Sequence, residues 1–159
     1  MKKKSNLGLN IFYVIFVIIV AFAIWLPNYI VEDQGVSVNA EPSQVYQCLL
    51  KSNNWSLWGW ELADASSLLG KNMNLKWQGQ NFVITQLEPD EFMNLSGKPV
   101  SISITLEADD EQTWLTYSTE LKVGKNPFKK LYQYFINDKV TRNAQNMAHH
   151  ISKTCQNIE

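Results

Sequence analysis

Residues 100–106 read VSISITL, a strict alternation of apolar and polar side chains. Successive side chains of a β-strand point to opposite faces. This pattern therefore predicts a strand with one face packed in the core and one face exposed to solvent. Further strands are predicted around it from weaker alternation, in residues 73–77, 82–87, 92–96 and 114–123. Because the connections between these segments are short, the pattern favours an antiparallel meander over parallel crossover units.

The second decisive pattern is a helical stripe near the carboxyl terminus. Asn126 and Pro127 suit the N-cap and the first position of a helix. The apolar side chains that follow recur every three or four residues over about 24 residues, which as a helix is about 36 Å long. These are Phe128, Leu131, Tyr132, Phe135, Ile136, Val140, Ala144, Met147, Ala148 and Ile151.

Upstream of the meander, residues 35–40 alternate as a short first strand. Pro42 opens a segment with helical spacing, and Trp55–Trp58 predicts a second short helix. We therefore expect an α+β fold in which a curved antiparallel sheet of about six to seven strands wraps one long C-terminal helix. A curved sheet and a straight helix cannot touch everywhere, so an apolar cavity is expected between them.

The amino-terminal segment predicts a membrane helix. Residues 11–26 read IFYVIFVIIVAFAIWL, which contains no polar interruption. A helix over residues 7–26 spans about 30 Å, the thickness of the hydrocarbon core of a bilayer. Three lysines at positions 2–4 precede the run and two acids at positions 32 and 33 follow it. The positive-inside rule then places the amino terminus in the cytoplasm.

This interpretation divides the chain into four parts. They are a cytoplasmic tail (1–6), a transmembrane helix (7–26), a connector (27–34) and an extracytoplasmic domain (35–159), which would be periplasmic in a Gram-negative bacterium. The competing interpretation is a cleaved signal peptide, because Ala21-Phe22-Ala23 has the small-x-small form of a cleavage site. The apolar run continues past that point, which favours an uncleaved anchor, and both interpretations export the domain.

Composition and motifs exclude several classes of function. The net charge is −1, with 14 basic and 15 acidic residues, so no basic excess indicates a nucleic-acid partner. His149 and His150 are the only histidines, and adjacent helical residues point about 100° apart, so no metal site is predicted. Neither a Gly-x-Ser-x-Gly elbow nor a phosphate loop is present. We expect no cofactor and assign no catalytic residue.

Cys48 and Cys155 both lie on the exported side, where oxidation is permitted. A disulfide between them is one expectation. Two unrelated buried thiols that behave as small apolar side chains are the other, and sequence spacing does not separate the two.

Residues 36–61, VSVNAEPSQVYQCLLKSNNWSLWGWE, resemble the opening of the SRPBCC superfamily, the START-like or birch-pollen-allergen-like helix-grip proteins. There a first strand leads to a Pro-x-x-Val-aromatic helix and an Asn-Trp-x-x-Trp turn. The matching residues here are Pro42, Val45, Tyr46, Asn54, Trp55 and Trp58. With the segments FVITQLEP (82–89) and NPFKKLYQYF (126–135), the resemblance covers about residues 35–155 in element order. It is strongest to the polyketide cyclase/dehydrase and lipid transport branch.

The resemblance implies a cavity for a lipid, a polyketide or another largely apolar molecule, and it implies no particular chemistry. The candidate lining residues come from the dry faces of the sheet and the helix: Leu75, Trp77, Ile102, Ile104, Tyr117, Leu131 and Phe135. The leading hypothesis is a membrane-anchored domain that binds a hydrophobic ligand. One alternative is a cyclase or dehydratase that uses Tyr117, and another is an interaction module of an envelope complex that docks through its tryptophans.

Overall fold

The computed structural model describes residues 7–63, 66–135 and 139–156. Its helices are α1 (Leu7–Trp25), α2 (Pro42–Leu50), α3 (Ser52–Leu57), α4 (Pro127–Phe135) and α5 (Lys139–Cys155). Its strands are β1 (Tyr29–Val38), β2 (Glu61–Leu62), β3 (Asn74–Trp77), β4 (Gln80–Glu88), β5 (Phe92–Gly97), β6 (Val100–Asp109) and β7 (Gln112–Lys122).

The strands form one seven-stranded sheet in the order β1-β7-β6-β5-β4-β3-β2. Neighbouring pairs from β2 to β7 are antiparallel, which confirms the predicted meander. The alternation that predicts β6 is also the burial pattern of that strand, because Ile102, Ile104 and Leu106 are buried. Ile104 lies opposite Tyr117 in β7, so both strands turn the same face to the core.

The chain forms two compact units. One lies within Met1–Ile30 and Val123–Asp138, and the other within Val31–Lys122 and Lys139–Glu159. The second unit holds most of the sheet together with α2, α3 and α5, and α5 packs on β7 and α2. Sheet, paired short helices and carboxyl-terminal helix make this an α+β helix-grip fold, as the sequence predicts.

Local sequence explains where α2 begins. Pro42 occupies its first turn, where a missing N–H leaves no donor unpaired. Glu41 and Gln44 form a reciprocal capping box, in which each side chain accepts from the backbone of the other residue. The helix then buries Val45, Tyr46, Cys48 and Leu49.

The carboxyl-terminal stripe is helical in both of its described segments, α4 up to Phe135 and α5 from Lys139. Residues 136–138 lie outside the described residues, so the single long helix expected from the stripe stays a prediction. In the first unit α4 packs on α1, whereas α5 packs on the sheet of the second unit. One apolar stripe in the sequence therefore serves two different packing partners.

The predicted division of the chain into four parts stays a prediction, and three of its segments can be compared with the structure. β1 begins at Tyr29, so most of the segment 27–34, predicted as a connector, is strand. The predicted domain 35–159 contains α4, which belongs to the first unit. The predicted cytoplasmic tail, residues 1–6, lies outside the described residues.

The helix α1 is apolar all around and exposes most of its large side chains. These are Ile11, Phe12, Tyr13, Val14, Ile15, Phe16, Val17, Ile18, Ile19, Phe22, Ile24 and Trp25. Within the residues that the structure describes, no helix has both the length and the apolar character needed to cross a membrane.

Close packing at Gly97 gives a first testable prediction. A Cβ added there would lie 2.7 Å from Cε1 of the buried Phe82 ring and 2.7 Å from the carbonyl oxygen of Val100. Because a backbone oxygen cannot move aside cheaply, we expect Gly97→Ala to lower the free energy of unfolding by about 1–3 kcal/mol. Chemical denaturation measures this effect.

Gly70→Ala is the matched control for Gly97→Ala. Its added Cβ meets only Sδ of Met73, at an ordinary contact distance of 3.8 Å. Equal stability changes in the two variants would contradict the packing argument.

Candidate functional site

The core of the second unit is lined by the inner faces of five strands and one side of α5. Its buried side chains on these elements are Leu75, Phe82, Ile84, Met93, Leu95, Ile102, Ile104, Leu106, Leu115, Tyr117, Ala144, Met147, Ala148 and Ile151. Nearly all are apolar, which fits the predicted dry faces of the sheet and the helix.

Four of the predicted lining residues lie in this core: Leu75, Ile102, Ile104 and Tyr117. Each is at most 1% exposed, so neighbouring side chains enclose it. A ligand could contact them only by displacing part of that packing. Trp77 is partly buried and packs against the core at its edge. Assignment of these five residues to a ligand cavity stays a prediction.

The two remaining predicted residues, Leu131 and Phe135, do not belong to the core of the second unit. Both lie on α4 in the first unit, and the Phe135 ring lies 6.5 Å from the ring of Phe22 on α1. In the sequence, their spacing continues the stripe of α5, which predicts that they belong to the core. Such a stripe indicates that one face of a helix is buried, but it does not identify the element against which that face packs.

An aromatic cluster forms one end of the core. The Trp60 ring stacks on Trp77 with centroids 5.4 Å apart, and meets Trp55 at 5.1 Å and Phe82 at 5.1 Å edge to face. Trp58 lies 5.5 Å from Trp55. Offset and edge-to-face pairs of this kind add to the stability that burial alone gives.

The indole N–H groups of this cluster differ in their partners. Trp55 Nε1 donates to the carbonyl oxygen of Leu49 at 2.6 Å, and Trp58 Nε1 donates to Thr154 Oγ1 at 3.0 Å. Among the described residues, Trp60 Nε1 is buried and has no acceptor. An unsatisfied buried donor costs about 1–3 kcal/mol, so such a group calls for a reason. Sequence reasoning missed it, because a hydrogen-bond partner depends on tertiary contacts.

Tyr117 places a polar hydroxyl in the apolar core, with 1% of its surface exposed. Burial raises the pKa of its phenol far above the ordinary value of 10.0, and a hydrogen bond with Thr119 opposes that shift. The hydroxyl is therefore protonated at physiological pH, and a role for Tyr117 in an enzyme stays a prediction.

The raised pKa of Tyr117 makes stability depend on alkaline pH. Because the folded-state pKa lies above that of the unfolded chain, this contribution is complete below about pH 10 and is lost as the pH rises further. We expect the free energy of unfolding to fall more steeply above pH 10 in the wild type than in Tyr117→Phe, by about 1.4 kcal/mol per pH unit. Denaturation curves at several pH values measure the difference, and parallel curves would contradict it.

The two cysteines form a disulfide that joins α2 to α5. Cys48 and Cys155 have Cα atoms 5.7 Å apart, within the range that a disulfide requires. Asn54 Nδ2 also donates to the carbonyl oxygen of Cys48 at 2.8 Å. The disulfide therefore fixes α5 to α2, the helix that follows β1.

Polar residues in the described chain do not assemble into a recognisable reaction centre. No group of three or more His, Cys, Asp and Glu side chains among the described residues could hold a metal ion. His149 and His150 are both exposed on α5. A surface groove of about 600 Å³ is mainly serine-lined, by Ser52, Asn53, Ser56, Leu62, Ala63, Ser66 and Ser67.

The first unit contains a lysine whose burial is not apparent from the sequence. Lys130 on α4 is buried, and its Nζ donates to the carbonyl oxygens of Ile24 at 3.3 Å and Leu26 at 2.7 Å. Carbonyls at the end of a helix lack intrahelical partners, and a cation there also interacts favourably with the helix dipole. Lys130 thus caps the carboxyl end of α1.

Comparison with known proteins shows the fold and no more. No family model and no curated protein matches the chain. The Aha1 dimer from Colwellia psychrerythraea is 17% identical with a TM-score of 0.51, covering 77% of this chain and 96% of that one. Ara h 8.0201 is 13% identical with a TM-score of 0.54, covering 80% and 95%.

DynU16, a putative protein in the dynemicin biosynthetic locus, is 13% identical with a TM-score of 0.59. The match covers 83% of this chain and 48% of DynU16, so this chain spans about half of that protein. Each of these structures is similar to this chain in fold.

Proposed function

We propose that this protein is a membrane-anchored helix-grip domain that binds a largely apolar small molecule or lipid, without covalent chemistry, on the outer side of a membrane. The observation that carries the ligand proposal is the unpartnered N–H of Trp60 inside the aromatic cluster. A ligand with an apolar body and one acceptor atom would satisfy this donor, and burial of its apolar surface would supply most of the affinity.

The packing of the core favours the aromatic end as the ligand site. Side chains at the centre of the sheet are fully enclosed, whereas Leu62, Met73 and Trp77 are only partly buried where they pack on the core. A molecule that enters beside Trp77 would reach the stacked Trp60 ring without displacing the centre of the core. Apolar walls with a single converging polar group are typical of small-molecule sites.

Three features support anchoring outside the cytoplasm. Most of the large exposed apolar side chains that the structure describes belong to the first unit, chiefly to α1, and a lipid bilayer would cover them. The disulfide between Cys48 and Cys155 suits an oxidising compartment. By the positive-inside rule, Lys2, Lys3 and Lys4 favour an amino terminus in the cytoplasm and a domain on the other side of the membrane.

The ligand proposal is tested with Trp60→Phe in the full chain. After purification from membranes, the small molecules that each protein retains are identified and quantified by mass spectrometry. We expect the wild type to retain an apolar molecule with a hydrogen-bond acceptor, and Trp60→Phe to retain about tenfold less, as loss of one hydrogen bond predicts. Failure of the wild type to retain any such molecule would refute the proposal.

Trp55→Phe is the matched control for this experiment. Its indole N–H already donates to Leu49, so its removal leaves a buried carbonyl without that partner. We expect Trp55→Phe to lower stability and leave ligand retention per folded molecule unchanged. Equal losses of ligand in both variants would mean that the Trp60 N–H has no specific role.

The anchor is tested on membranes that contain the full chain. Carbonate washing removes peripheral proteins, so an embedded α1 predicts that the protein stays with the membrane pellet. The intact mass distinguishes the anchor from a cleaved signal peptide. Loss of the residues up to Ala23, or release by carbonate, would rule out the anchor.

A further inference from the structure

The helix α4 exposes an aromatic stripe that the rest of the described first unit covers only in part. Phe128, Tyr132 and Phe135 are 58%, 52% and 68% exposed. Their spacing of four and three residues places them on one face of the helix. A contiguous exposed apolar face of this kind marks a contact with a membrane or another protein.

Specific hydrogen bonds fix α4 beside the carboxyl end of α1. Lys130 donates to the carbonyl oxygens of Ile24 and Leu26, and the Tyr134 hydroxyl donates to that of Tyr29 at 2.6 Å. Lys130 lies about 200° around the helix from Phe128, so this attachment leaves the aromatic stripe turned away from the bonded side.

The stripe on α4 continues the apolar surface of α1. The ring of Phe128 lies 6.3 Å from that of Phe16, and the ring of Phe135 lies 6.5 Å from that of Phe22. Lys125 and Lys129 flank the stripe and are exposed. An aromatic face bordered by lysines matches the boundary between acyl chains and headgroups, where lysine stems lie in the apolar layer and their ammonium groups reach phosphates.

We infer that α4 is a second membrane contact, whose Phe128–Tyr132–Phe135 face inserts into the acyl-headgroup boundary of the leaflet in which α1 ends. This inference rests on the proposed anchoring of α1. The occupant is lipid, because the face is continuous with the helix proposed to be embedded and carries cations at its border. Contact with the bilayer at two helices would hold the first unit in one orientation.

The test places a fluorescent probe on the full chain in vesicles. Tyr132→Cys is labelled with a nitrobenzoxadiazole maleimide, since both native cysteines are in the disulfide and do not react. The vesicles contain phosphatidylglycerol and phosphatidylcholine brominated on its acyl chains. Glu111→Cys, in the exposed turn between β6 and β7, carries the same probe as the control for a position in water.

We expect brominated lipid to quench most of the fluorescence of the probe at position 132, and iodide in the buffer to quench it weakly. At position 111 we expect the reverse. Strong iodide quenching at position 132 would overturn the inference. Protection of that probe from both quenchers would also overturn it, because a second copy or another protein would then cover the stripe.

Flotation of the same vesicles separates this inference from the proposed function. Protein that floats with the vesicles, but is not quenched by brominated lipid at position 132, retains its anchor and lacks the second contact. Protein that does not float lacks the anchor itself, and the inference fails with it.

Discussion

Replacement of both Cys48 and Cys155 by alanine is expected to lower the free energy of unfolding by about 4–5 kcal/mol. The two cysteines are 107 residues apart, so the disulfide closes a loop that contains nearly all of the second unit. In the chain-entropy model a cross-link restricts the unfolded chain more as its loop becomes longer, and this loop is long. Denaturation by guanidinium of the wild type and the double variant measures the difference.

Reduction provides a control without mutation. Wild-type protein in excess reductant should unfold at the same denaturant concentration as Cys48→Ala/Cys155→Ala, because both lack only the cross-link. If oxidised and reduced protein unfold at the same concentration, the disulfide does not stabilise the fold.

Trp55→Ala is expected to be the most damaging single substitution in the aromatic cluster. The side chain is fully buried, meets Trp58 and Trp60 ring to ring, and donates to the Leu49 carbonyl oxygen. Truncation removes these contacts and leaves a cavity, so we expect a loss of about 3–5 kcal/mol in the free energy of unfolding. Thermal or chemical denaturation followed by circular dichroism measures it.

Leu57→Ala serves as the matched control on the same short helix. Leu57 is 75% exposed, so its truncation should change the free energy of unfolding by less than about 0.5 kcal/mol. A similar loss in both variants would indicate that α3 is sensitive to any substitution, and that the buried ring of Trp55 has no special importance.

The sheet could be predicted well because its signal is local. Alternation in residues 100–106 specifies which side chains of β6 face the core, and the short turns specify that neighbouring strands pair antiparallel. β1 shows the limit of this signal. Tyr29–Gln34 carries two acids and reads as a connector, yet it is strand because β7 lies beside it in the sheet. Strand formation there depends on tertiary context.

The different packing partners of the two described parts of the carboxyl-terminal stripe could not be predicted from spacing. Phe128 and Phe135 repeat with the same period as Met147 and Ile151 on α5, and periodicity reports only that one face is apolar. Burial separates the two sets, because the first pair is exposed in its own unit and the second lies in the core. Lys130 was equally unpredictable, because a lysine on a helix normally faces water.

The candidate site was predicted in part. The dry faces of the strands correctly bring Leu75, Ile102, Ile104 and Tyr117 into one core. The sequence does not reveal that Trp60 is the tryptophan whose N–H lacks an acceptor, since Trp55 and Trp58 sit in the same motif and differ only in the groups that pack beside them.

The two outermost strands of the sheet decide whether copies of this chain can join edge to edge. β2 has only two residues, so that edge offers little backbone for another chain to pair with. At the opposite edge, β1 carries Glu32 and Asp33, whose like charges repel an identical strand. Both borders therefore oppose edge-to-edge aggregation of identical chains.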